Sequence, residues 1–83
     1  PKLTGNKFYY HEVIGFTVID SVRGDIGIIQ SVNDTTAQAL FEIQKEDKQL
    51  LIPINDDIVT KVDRENNTVF VKTPEGLVDL YLN

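Results

Sequence analysis

The chain has 83 residues, with 8 basic against 13 acidic side chains, a net charge of −5, 41% apolar residues and 25% charged ones. That length makes one domain with little core to spare, and the composition is that of a globular rather than a disordered chain. The acidic balance and the scatter of the basic residues argue against an unaided grip on nucleic acid, which needs clustered Lys and Arg.

The chain has no cysteine, which excludes a disulfide framework and thiolate chemistry. Small secreted domains usually carry such staples, so a reducing, cytoplasmic compartment is expected. No apolar run approaches the ~20 residues of a membrane-spanning helix, and no signal-peptide pattern is visible. The chain begins at Pro1 and lacks methionine. It therefore reads as a segment of a longer protein, with residues 1–7 a linker from a preceding domain and residues 8–83 the domain itself.

In chain order, "FYYHEVIG" (Phe8 to Gly15) comes first and sets three aromatic rings side by side. Extended chain sends neighbouring side chains to opposite faces, so at least one of Phe8, Tyr9 and Tyr10 points away from the core. Phe8 and Tyr10 share a face and can serve as packing. "VIGFTVID" (Val13 to Asp20) is rich in β-branched residues, placing Ile14, Phe16 and Val18 on one strand face and Val13, Thr17 and Ile19 on the other. "SVRGD" is a turn. In "IGIIQSV" (Ile26 to Val32), Ile26, Ile28 and Val32 share a face, and Gly27 marks a bulge or tight bend.

"ALFEIQ" has the cleanest alternation: Ala39, Phe41 and Ile43 inward, Glu42 and Gln44 outward. "KEDKQ" is a polar hairpin loop leading to "LLIPI", where Pro53 cannot donate to a ladder and belongs at an edge or a strand end. "DIVTKVD" and "TVFVK" flank "RENN", a second hairpin signal. Six short strands at this spacing predict an all-β domain, and closure into a small barrel removes the long edges that two small sheets would leave. In "TPEGLVDLYLN", Thr73 is a candidate N-cap, Pro74 suits the first helical position and Glu75 the first turn. Leu77 and Leu80, three apart, then predict a short helical turn plugging one barrel end.

Catalytic and metal constellations are sparse. A zinc site needs three or four Cys or His ligands, and His11 stands alone, so it reads as a surface histidine beside Glu12. Ser21 and Ser31 have only that one histidine to serve as a base. A calcium loop through Asp63, Glu65 and Asn67 fails, with Thr68 at its sixth position and Pro74 at its twelfth. Asp56 and Asp57 read as a turn cap or solvated loop. "RGDIG" has the wrong glycine spacing for a phosphate loop. No catalytic residue, metal or cofactor is expected, and a non-enzymatic role follows. The exposed member of the aromatic run is then the best functional clue, because tyrosine is rigid, amphipathic and enriched at interface hot spots.

"FYYHEVIG", "GDIGIIQSV", "QLLIPINDDIVTKVD" and "VKTPEGLVDL" together, in this order and spacing, resemble the C-terminal domain of the ribosome maturation factor RimM family. The likeness runs from Phe8 to Leu80. It implies a small six-stranded PRC-type β-barrel and a non-enzymatic assembly factor that binds the immature small ribosomal subunit and supports rRNA processing. It further implies contact with the head protein S-nineteen, through aromatics that map onto Phe8 and Tyr9, with Tyr10 in the third aromatic place. An acidic, ring-bearing barrel suits a basic ribosomal protein. An alternative within the superfamily is a structural barrel attached to a membrane or photosynthetic complex. Contact with ribosomal RNA and oligomeric state stay open at this level.

Overall fold

The computed structural model describes residues 8–35, 37–74 and 76–77. Residues 1–7, read above as a linker, lie outside that range. A single 3-10 turn, Tyr10–Val13, precedes six strands: β1 (Thr17–Asp20), β2 (Gly24–Asn33), β3 (Leu40–Lys45), β4 (Lys48–Pro53), β5 (Val59–Asp63) and β6 (Thr68–Val71). They form one sheet in the order β4-β3-β2-β1-β6-β5. All neighbours are antiparallel except β1 and β6, which run parallel with Thr17 opposite Thr68 and Val18 opposite Val69. The ladder ends at β4 and β5. Even so, Leu50 and Ile52 of β4 share one core with Val59 and Val62 of β5, so the sheet curls on itself.

That core takes one face of every strand. Val18, Ile26, Phe41, Ile43, Leu50, Ile52 and Val69 are fully buried, each contributing about 1.5–3 kcal/mol of hydrophobic stabilisation. The alternation in β3 is as the sequence requires: Phe41 and Ile43 are buried, while Glu42 and Gln44 between and after them are only half-buried. The β3–β4 hairpin is tight, with Lys45 paired to Lys48 and Glu46 at φ +55 in the loop between them. Pro53 closes β4, an outermost strand, where its missing N–H costs no ladder bond.

Two expectations are corrected. The strand predicted from Val13 begins only at Thr17. Gly15 lies at φ +89, and the Phe16 N–H donates to the Val13 carbonyl at 3.0 Å, a reverse turn whose third position calls for glycine. Ile14 is consequently 44% exposed, and Val13, assigned to the opposite face, is fully buried. In β2, Ile28 does not share a face with Ile26 and Val32, which both meet the core. Val18 pairs with Gly27 but Ile19 pairs with Asp25, so Ile26 is an extra, bulged residue that reverses the alternation after it. Ile29 enters the core and Ile28 is 45% exposed. Gly27 does mark this bulge: its N–H donates to Asp25 Oδ1 at 2.9 Å.

Half of the predicted helical turn from Thr73 to Leu80 lies outside the described residues. Within them, Leu77 N–H donates to the Pro74 carbonyl at 3.1 Å, and Gly76 stands at φ +86, a reverse turn. The Thr73 side chain is engaged elsewhere: its hydroxyl donates to Asp20 Oδ1 at 2.6 Å. Among the described residues no helix is long and apolar enough to cross a membrane.

Candidate functional site: an aromatic turn ahead of the sheet

The aromatic run is a turn rather than a strand, and this changes how its rings are distributed. Tyr9 is extended (φ −87, ψ 142) and the chain then coils through Tyr10–Val13. Glu12 closes the coil twice: its N–H donates to the Tyr9 carbonyl at 3.0 Å, and its carboxylate accepts the Tyr9 N–H at 2.9 Å. That second bond is the half of a capping box that satisfies an otherwise unpaired first-turn donor. Buried Val13 pins the far end, and the Gly15 N–H donates to the Ile29 carbonyl at 2.8 Å, joining the turn to β2.

The three rings separate in role. Phe8 packs against the core and stacks on Phe41, with ring centroids 5.7 Å apart and planes at 23°. Tyr10 lies tilted against Phe8 at 6.2 Å and keeps 39% of its surface exposed. Tyr9 is 42% exposed and its ring stacks on His11 at 5.9 Å and 16°. Phe8 is thus a foundation, and Tyr9 and Tyr10 are the outward members. Ile14, at the turn that follows, is also exposed.

One residue at this site has no signal in the local sequence. Arg64, in the β5–β6 hairpin, reaches Glu12 side-on with one edge of its guanidinium: Nε donates to Oε2 at 3.1 Å and Nη2 to Oε1 at 3.0 Å. The side chains remain about one-third exposed, at 33% for Arg64 and 27% for Glu12. The Arg64 hydrogen bonds, with that from the Tyr9 N–H, hold the Glu12 carboxyl below its ordinary value. Glu12 in turn raises the Arg64 guanidinium further. "RENN" read only as a hairpin because its partner lies 52 residues earlier in the chain.

The other sequence candidates lie apart from this turn. No group of three or more His, Cys, Asp or Glu side chains that could hold a metal ion exists among the described residues. Asp56 and Asp57 are exposed in the β4–β5 turn, where it is Asn55 Oδ1 that accepts the N–H groups of Asp57 and Ile58 at 2.9 and 3.0 Å. Asp63 organises its own hairpin by accepting from Asn66, through the backbone N–H at 3.2 Å and Nδ2 at 2.8 Å. A buried carboxylate that sequence reasoning passed over is Asp20, 3% exposed. Its Oδ2 accepts the Val22 and Arg23 N–H groups, both at 3.0 Å, and its Oδ1 accepts the Thr73 N–H at 3.1 Å. Burial alone would raise its pKa, but the hydrogen bonds from Thr73, Arg23 and Val22 outweigh burial and hold it below the ordinary value. All its partners are internal to the fold, so it ties the β1–β2 turn to the chain leaving β6.

Two half-exposed phenols on a braced turn form a surface suited to docking. Comparison with known proteins agrees with the fold. The family model for the RimM PRC barrel domain matches residues 10–77. A ribosome maturation factor RimM from Christiangramia forsetii is 66% identical over 82 residues, which span 99% of this chain and 47% of that protein. The same-named protein of Staphylococcus aureus is 40% identical over 77 residues, 93% of this chain and 46% of its own. The chain therefore spans about half the length of the curated relatives it matches. A crystal structure of a Pseudomonas aeruginosa RimM, described as a 16S ribosomal RNA processing protein, superposes with a TM-score of 0.71 at 24% identity, over 81% of this chain and 44% of that one. At that identity the superposition speaks for the fold.

Proposed function

The chain belongs to the RimM PRC barrel family, and on that premise we propose that it is a non-enzymatic binding module in maturation of the small ribosomal subunit. In this reading it works in the cytoplasm and docks on a basic head protein, S-nineteen, through Tyr9 and Tyr10. The observation that carries the reading is the splitting of the aromatic run: Phe8 is spent on the core while Tyr9 and Tyr10 stay 42% and 39% exposed. Exposed tyrosines on a stiff backbone offer large contact area at low entropic cost, the profile of an interface hot spot. The net charge of −5 gives an acidic chain whose potential complements a basic protein and accelerates encounter.

Calorimetric titration of the chain with purified S-nineteen tests this. Tyr9→Ala combined with Tyr10→Ala should leave the β-sheet circular dichroism unchanged and weaken binding by two hot-spot residues' worth, about 2–4 kcal/mol. Unaltered affinity in the folded double variant would remove these rings from the interface.

A further inference from the structure

We propose that Arg64 is a positioning residue for the docking turn: from the β5–β6 hairpin it clamps Glu12, and through Glu12 it fixes the backbone that presents Tyr9 and Tyr10. The inference deepens the docking reading above and rests on it. Three observations meet at one carboxylate. Arg64 supplies two hydrogen bonds to Glu12, at 3.1 and 3.0 Å. The same carboxylate accepts the Tyr9 N–H at 2.9 Å, so the guanidinium sits two hydrogen bonds from the backbone of a docking residue. The turn itself is a single 3-10 coil of four residues, too short to hold its shape from internal bonds alone.

The planar fork matters. Two parallel N–H donors fix direction as well as distance, which a lysine ammonium does not do. Glu12 therefore cannot swing away from Tyr9 while Arg64 holds it, and Tyr9 stays extended with its ring outward. Without the fork, Glu12 is free to turn to solvent, the Tyr9 N–H exchanges its partner for water, and only a fraction of molecules presents both rings. Apparent affinity falls by that fraction. Arg64 acts in this scheme through the turn rather than by touching the partner.

A double-mutant cycle on the chain, titrated with purified S-nineteen, separates these roles. Arg64→Gln should weaken binding by about three- to ten-fold, the scale of a partly exposed charge-assisted pair, and should speed hydrogen exchange of the Tyr9 amide. In the Tyr9→Ala, Tyr10→Ala background it should cost nothing more, since the rings it positions are gone. Arg64→Lys should recover only part of both effects, and Glu12→Gln, which keeps an acceptor for the Tyr9 amide but loses the charge, should fall between. An equal loss from Arg64→Gln in both backgrounds would mean that Arg64 touches the partner directly, and would overturn the positioning role. So would full affinity in Arg64→Gln alongside lost affinity in the double tyrosine variant, which leaves the docking reading standing. Full affinity in the double tyrosine variant overturns the docking reading, and the clamp's role in binding goes with it.

Discussion

Gly27→Ala probes the bulge that decides which side chains of β2 reach the core. Gly27 is buried at φ +124, and a Cβ added there would stand 2.5 Å from the Gln44 carbonyl oxygen and 2.8 Å from Ile43 Cγ2. Ordinary contact distances are about 3.5–4 Å, so β2 and β3 have to separate. The backbone conformation costs a side chain about 1–3 kcal/mol, and forcing the two strands apart adds about 1–3 kcal/mol. A chain of this length has about 4–12 kcal/mol of stability in total, so the loss is a large part of it. Urea unfolding followed by circular dichroism measures it. Gly15→Ala is the matched control: that residue also has a positive φ, +89, but nothing lies within 4 Å of its added Cβ, so only a conformational cost of about 1–2 kcal/mol applies. Equal losses in the two variants would refute the reasoning, because they would show that the contact with Gln44 and Ile43 contributes nothing.

Two further outcomes follow from the same geometry. Asp20 has a folded-state pKa below its ordinary value, so it stabilises the protein above about pH 4, and that contribution is lost as pH falls through the folded value. Asp20→Asn should lower stability at neutral pH by about 1–3 kcal/mol and flatten the acid limb of a stability–pH curve, whereas an unchanged acid limb would show that the carboxylate is not responsible. Phe8→Ala removes the ring stacked on Phe41 and should cost about 0.5–1.5 kcal/mol beyond the area lost. The same variant should quench the order of Tyr10, seen as averaged ring shifts in NMR spectra, and a Tyr10 ring with unchanged shifts would contradict a foundation role for Phe8.

The strands were legible because burial on one face imposes a period of two, and β3 states it plainly in Phe41 and Ile43. Reading failed where one backbone residue broke the count. Ile28 and Ile29 are equally apolar, so composition cannot choose between them. The choice belongs to the bulge at Ile26, and Gly27 advertises a bulge without saying on which side of it the register shifts. Gly15 had the same effect at the start of β1, turning a β-branched run into a reverse turn. At the site, at least one ring was expected to face outward and two do, but the strand geometry behind that expectation does not hold there. The rings divide because a short coil lies between Phe8 and buried Val13. Arg64 was invisible for a different reason: a hydrogen bond spanning 52 residues leaves no trace in spacing, and only the completed fold brings its two ends together.

That long span bears on the order in which the domain assembles. β1 lies between β2, its neighbour in sequence, and β6, the final strand, and contacts between distant segments form late because loop closure must come first. The hairpins β2–β3–β4 can pair as soon as they exist. The aromatic turn, although it lies near the start of the chain, takes Phe41 from β3 as its floor and Arg64 from the β5–β6 hairpin as its brace. It is synthesised before the strands that support it and takes shape only after them. Its two outward tyrosines become a ready surface only after β3 and the β5–β6 hairpin are in place, so a nascent or truncated chain carries the rings without the shape that presents them.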